Sequence, residues 1–219
     1  MCGRYSIGND IQQIAQELNV KPPKKFTPRY NAAPSQALPV VSNAQRQQVA
    51  LYEWGVIPFW AKEKGQRLIN ARAETVGEKS TFKKSFQQRR CLVLADGYYE
   101  WKKTASGKVP HRLVLEDERP FVFAGIWDEH ADQDTGEVKH DFCIITTTAS
   151  PSIAHIHDRM PVILSEEARD FWLADTEDYT GLVDILRPLE DGQITAYEVS
   201  KQVNNVQNDE EDLIRLNSK

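Results

Sequence analysis

The 219 residues are 40% hydrophobic and 27% charged, and with no run of 18 apolar residues they exclude a membrane-spanning helix. The start Met1-Cys2-Gly3-Arg4-Tyr5 lacks the apolar stretch of a signal peptide, so residence in the cytoplasm is expected. Net charge is −5, yet residues 1–112 carry 19 Lys+Arg against 8 Asp+Glu and residues 113–219 carry 8 against 24, which implies an anionic partner for one face or two halves that attract each other.

In chain order, a short helix is predicted after Asn9 or Asp10 as its cap, with Ile11, Ile14, Ala15 and Leu18 on one face. Lys21–Pro34, rich in proline and cations, reads as an ordered irregular loop. Leu38–Val41 and Val49–Ile57 read as strands, and Ser80 is placed as the cap of a helix pairing Phe82 with Phe86 at i, i+4. A β meander follows, with runs at Cys91–Trp101, Arg112–Leu115, Phe121–Trp127 and Phe142–Thr148 separated by turn chemistry. Ser165 is the expected cap of a helix through Phe171 and Trp172, Ile194–Val199 is a late strand, and the acidic Asp209–Asp212 belongs to a solvated end. With no linker or repeat, the expectation is one α+β domain over 1–219, built on antiparallel, barrel-like sheet with a few short helices.

Cys2, Cys91 and Cys143 form neither a disulfide framework nor a zinc spacing, and Cys91 and Cys143 lie in apolar strand-like runs as structural thiols. Cys2 is different. Removal of Met1 would leave a terminal 1,2-aminothiol, whose α-amine, with a pKa of about 7.7–8, is partly neutral at physiological pH. Such a pair attacks an aldehyde through nitrogen and closes a five-membered thiazolidine through sulfur, which no internal cysteine can do.

Other polar groups cluster in short segments. Glu100 sits between aromatics in Tyr98-Tyr99-Glu100-Trp101, where burial would raise its pKa; it could equally pair with Lys102 or Lys103 at a strand edge. His157, Asp158 and Arg159 stand together before an apolar run, suited to proton transfer or to a structural role. Asn70 could hold a hydroxyl or an oxyanion and Arg72 a phosphate, unless the segment's polar groups only cap each other. Phe59 and Trp60 follow the strand break at Pro58 as a stacking wedge for bases or as a core plug. No phosphate loop, metal-ligand cluster or dinucleotide fingerprint is present, so no metal and no cofactor are expected.

Six ordered blocks, Cys2-Gly3-Arg4-Tyr5, Tyr30-Asn31-Ala32-Ala33-Pro34, Trp54–Trp60, Asn70–Thr75, Asp96–Trp101 and His157–Pro161, resemble the signatures of the SOS-response-associated peptidase (SRAP) family, abasic-site sensors that crosslink to DNA. A late block, Val203–Val206 with Asn208, is also similar. The resemblance spans residues 2 to 208 and implies a bare, bacterial-type member. It implies catalytic roles for Cys2, Asn70, Glu100 and His157, and DNA contacts for Arg4, Asn31, Pro34, Phe59, Trp60, Arg72, Trp101 and Arg159. The implied partner is single-stranded DNA carrying abasic sites, including single/double-strand junctions, met by a monomer that is nucleoid-associated when bound. Implied activities are thiazolidine crosslinking, a secondary abasic-site lyase reaction and self-removal of Met1. An N-terminal-nucleophile cysteine amidohydrolase or peptidase, and a non-covalent single-strand-binding module, are the alternatives.

Overall fold

A computed structural model of the chain describes residues 2–8, 11–61, 66–132 and 135–217. Strand β1 (Tyr5–Ile7) leads to helix α1 (Ile11–Glu17), which buries Ile11, Ile14 and Ala15 as the periodicity predicts. Its expected caps, Asn9 and Asp10, lie outside the described residues. Strands β2 (Arg29–Ala32), β3 (Ala37–Ser42), β4 (Gln45–Trp54) and β5 (Asn70–Arg72) follow, then helix α2 (Ser80–Gln88). Next come β6 (Arg90–Ala95), β7 (Gly97–Thr104), β8 (Gly107–Leu115), β9 (Phe121–Ala131) and β10 (Val138–Thr148). The chain continues with β11 (Arg159–Pro161), α3 (Glu166–Leu173), α4 (Tyr179–Asp184) and β12 (Ile194–Glu198). Two 3-10 turns, Lys201–Asn204 and Glu211–Ile214, end it.

The α+β architecture is as expected, and the sheet does close. Strands β10, β4, β3, β6 and β9 pair in a ring, with β9 returning to β10 from Val138↔Ala131 to Ile144↔Gly125. Where β9 leaves, β10 is still hydrogen-bonded on both edges, to β5 on one and β11 on the other. The second sheet runs β12-β8-β7-β1-β2. One core joins the two, with Tyr5 of β1 edge-on to Trp54 at 5.1 Å and to Phe123 at 5.8 Å. Burial of these rings supplies the main stabilisation of the interface between the sheets.

Four local expectations need correction. The run Cys91–Trp101 is two strands, not one, because Asp96 breaks it and sends β6 to the ring and β7 to the second sheet. Asp96 is buried with Arg112, and a Cβ at Gly97 would meet the Arg112 guanidinium at 2.7 Å, so the break requires glycine there. Lys21–Pro34 contains strand β2, stabilised when Asp209 accepts from the N–H groups of Tyr30 and Asn31 at 2.7 and 2.8 Å. Asp209 is therefore a tie rather than part of a solvated end, and it also pairs with Arg29 at 2.9 Å. Lys79, not Ser80, is the residue that flanks α2, whereas Ser165 flanks α3 as expected but makes no side-chain cap bond.

Candidate active site

Three elements and the chain start meet at one end of the second sheet. Tyr5 pairs with Tyr98 and the Tyr99 N–H donates to Arg4 O at 3.0 Å, so the first residues run antiparallel along β7 and bring Cys2 beside the Glu100 segment. Cys2 is fully buried. Burial, and then the neighbouring Glu100 charge, push its thiol far up, so the sulfur is held as a neutral thiol. Asn70 comes from β5, fixed by parallel pairing to Ile144, and donates Nδ2–H to Cys2 O at 2.7 Å. The buried Asn70 Oδ1 has no hydrogen-bond partner among the described residues, leaving an acceptor beside the chain start.

Glu100 is 3% exposed, and burial raises its carboxyl above the ordinary value, with the His157 imidazole acting in the opposite sense. His157 approaches from the loop before β11, its Nε2 lying 4.0 Å from Glu100 Oε2. The Arg159 N–H donates to His157 Nδ1 at 3.0 Å, which assigns the ring proton of the neutral imidazole to Nε2. Asp158 also lies 3.0 Å from Nδ1, but its side chain is 88% exposed and competes with water, so the backbone donor decides the tautomer. A buried acid, a proton-bearing imidazole and a neutral thiol thus share one small volume. This is the equipment for moving protons during carbonyl addition. Among the described residues no group of three His, Cys, Asp or Glu side chains is arranged to hold a metal ion.

The residues predicted to contact DNA divide into two sets. Phe59 is 80% exposed and Trp60 46%, so they are presented at a loop tip rather than plugged into the core. Trp60 donates Nε1–H to Thr81 Oγ1 at 3.2 Å, which steadies the loop against α2. At the loop root Gly55 has φ +120°, and Arg67 bridges Gly55 O and Glu53. Arg72 is exposed, and its guanidinium makes no hydrogen bond or ion pair among the described residues. Pro34 is half-buried in the turn preceding β3, whose Ser35 N–H donates to Trp54 O.

The other set is tied up within the protein. Asn31 is fully buried, and its Nδ2 faces the carbonyls of Val203, Asn205 and Asn208 at 3.3, 3.1 and 2.7 Å. Its Oδ1 accepts from Arg4 at 2.7 Å, so Asn31 braces Arg4 and residues 203–208 from within instead of facing outward itself. Arg4 also donates to Val203 O at 2.8 Å and stacks on Trp101 at 5.9 Å. Trp101 Nε1–H donates to Asn204 Oδ1 at 2.7 Å. Arg159 grips Glu74 through both carboxylate oxygens, at 2.5 and 2.9 Å. Sequence reasoning missed the role of residues 203–209 as the brace behind the site; the run of short amides, Asn204, Asn205 and Asn208, was its signal.

A family profile described as SOS response associated peptidase (SRAP) matches residues 1–206. The chain is 36% identical to the abasic site processing protein YoqW of Bacillus subtilis, over 98% of this chain and 99% of that one. It is 31% identical to the abasic site processing protein HMCES of Xenopus tropicalis, over 84% of this chain and 64% of that one. A crystal structure of a protein from Bacteroides thetaiotaomicron superposes with a TM-score of 0.87 at 26% identity, covering 98% of this chain and 99% of the other.

Proposed function

Because the chain belongs to the SOS response associated peptidase family, we propose that it captures abasic sites in single-stranded DNA as a covalent thiazolidine on Cys2. The observation that carries this reading is the convergence of Cys2, Asn70, Glu100 and His157 from four separate parts of the chain. With Met1 attached the Cys2 nitrogen is an amide and its side chain is fully buried, so loss of Met1 must precede capture.

The freed amine adds to the aldehyde carbon of the ring-opened sugar, with Asn70 Oδ1 accepting an N–H and orienting the lone pair, and one proton passes from the nitrogen to the former aldehyde oxygen to give the carbinolamine. Protonated Glu100 gives its proton to the departing hydroxyl, water leaves, and an iminium forms. The Cys2 thiol then adds to the iminium carbon, forming the C–S bond, while the thiol proton returns to the Glu100 carboxylate. The iminium π electrons become the ring nitrogen's lone pair. Net change is aldehyde plus aminothiol to thiazolidine plus water, with Glu100 regenerated. The raised carboxyl pKa suits both the giving and the taking of that proton. His157 Nε2–H donates toward the sugar hydroxyl or the 3′ phosphate. If sulfur does not close, loss of a C2′ proton expels that phosphate by β-elimination, the lyase branch.

The test is a denaturing gel of the Met1-free protein with an abasic oligonucleotide. A retarded band that survives heat and disappears in Cys2→Ala is expected. Binding without a heat-stable band would establish a non-covalent module, and ammonia release from glutamine would establish the amidohydrolase.

A further inference from the structure

Strand β7, which carries Glu100 and Trp101, does not end at the site. It runs on with β8 as a two-stranded hairpin that leaves the body of the sheet. β1 covers β7 only at Gly97 and Tyr98, and β12 covers β8 only from His111 to Leu115. From Lys102 to Val109 the two strands, among the described residues, pair only with each other. Between Glu100 and Glu116 the sequence has no carboxylate, while Lys102, Lys103 and Lys108 all fall on this hairpin. None of the three is in an ion pair among the described residues, although Lys139 and eight arginines are.

The register makes the arrangement specific. Lys103 and Lys108 are directly opposite partners, and both are exposed. Like charges in that relation repel and weaken a hairpin. Strand alternation puts them on the face of Trp101, which Arg4 stacks upon and Asn204 holds. Glu100 lies on the opposite face of β7, so the two cations flank the site from the far side of the strand. A hairpin that keeps two mutually repelling cations, with no acid paired to either among the described residues, has the charge complement of a polyanion backbone.

We propose that the β7–β8 hairpin is a phosphate clamp, in which Lys103 and Lys108 straddle the nucleic-acid backbone on one side of the captured lesion. This rests on the reading of the site given above and extends its footprint. Lys103 is three residues beyond Glu100, about 10 Å along the strand, so the clamp falls within about three nucleotides of the lesion.

The test uses Lys103→Gln/Lys108→Gln in the Met1-free protein, with oligonucleotides carrying either an abasic site or a non-reactive tetrahydrofuran analogue. Flanks are trimmed separately on the 5′ and 3′ sides, and each flank is supplied both single-stranded and in duplex. The variant should melt no lower than wild type, because substitution removes a repulsion. Its capture rate at saturation should be unchanged and its affinity lower. Two lost contacts reduce the salt slope by about 1.4, so the wild-type advantage should shrink about sevenfold between about 50 and 200 mM salt. The deficit should vanish when one flank, and only one, is cut below about three nucleotides. The flank form that shows the larger deficit identifies whether single-strand or duplex phosphates are held. No deficit, or one indifferent to trimming of either flank, overturns the clamp. If wild type gives no heat-stable product, the capture reading fails, and the analogue arm still decides the hairpin.

Discussion

Asn31→Ala separates a buried brace from a direct DNA contact, and its cost can be worked from the structure. The side chain accepts one bond from the Arg4 guanidinium and has two amide hydrogens for the three facing carbonyls of Val203, Asn205 and Asn208. Three bonds can therefore be made at once. The two neutral bonds contribute about 0.5–1.5 kcal/mol each and the charge-assisted one about 1.5–3 kcal/mol. The expected loss is about 4 kcal/mol, which lowers Tm by roughly 8–16 °C for a chain of this size. Urea unfolding followed by tryptophan fluorescence measures it. Because the loss is concentrated in one segment, hydrogen exchange at the Val203 and Asn205 amides should accelerate first. An Asn31→Ala protein that unfolds like wild type but binds DNA weakly would show that the amide serves the nucleic acid and that the brace assignment is wrong.

Glu100 makes a prediction about pH. Burial holds its folded pKa above the ordinary 4.5, so the folded chain binds the extra proton. Wild-type stability from this group is then complete below the unfolded pKa and is lost as pH rises through the folded one. Thermal melts should therefore show Glu100→Gln gaining on wild type as pH climbs from the unfolded value, while capture is abolished; a Tm difference independent of pH would contradict the assignment. Glu74→Gln opens the grip on Arg159, and because Glu74 is nearly half exposed the loss of stability should not exceed about 1 kcal/mol. Released, Arg159 should tighten DNA binding and steepen its salt dependence, and unchanged titrations would remove it from the interface. Phe59→Ala should leave Tm unchanged, since the ring is exposed, and cost about 1–3 kcal/mol of single-strand affinity; equal affinity by fluorescence anisotropy would show that the ring stacks on no base.

The ring strands and α3 were legible because each announces itself locally, through β-branched and aromatic runs or through a helical apolar face. The chemical blocks were legible for a different reason: Cys2, Glu100 and His157 are residue types with few structural uses in apolar company. What escaped depended on partners far along the chain. β2 is an edge strand whose N–H groups are met by Asp209, 178 and 179 residues away, so its own proline-rich surroundings read as loop. The break at Asp96 escaped because the chain is buried without interruption from Arg90 through Glu100, so no change of pattern marks it; only the Arg112 guanidinium, folded back across Gly97, explains why the backbone changes sheets there. Asn31 was expected to contact DNA and is instead buried, because a buried asparagine and a DNA-facing one look alike in sequence. The difference lies in three carbonyls from residues 203–208.

The charge asymmetry had two readings, and the structure divides them by residue type. Arginines of the basic half hold the fold together. Arg29 meets Asp209 and Arg89 meets Asp128 from the acidic half, while Arg90 is buried with its donors on the carbonyls of Phe86, Gln87, Trp172 and Ala174. A planar fork of five donors suits such fixed, multidentate work. Among the described residues, no lysine of residues 1–112 is in an ion pair. Flexible, strongly hydrated point charges satisfy phosphates of any sequence without demanding a fixed geometry. Of the three arginines predicted to hold phosphates, Arg4 and Arg159 are engaged internally and Arg72 alone is uncommitted. Under the proposed function the first encounter with a polyanion would fall to these lysines and to Arg72, and Arg159 would reach a phosphate only by giving up the Glu74 carboxylate. Attraction between the halves thus uses arginines such as Arg29 and Arg89, and the lysines of residues 1–112 are the excess charge that the proposed function leaves for DNA.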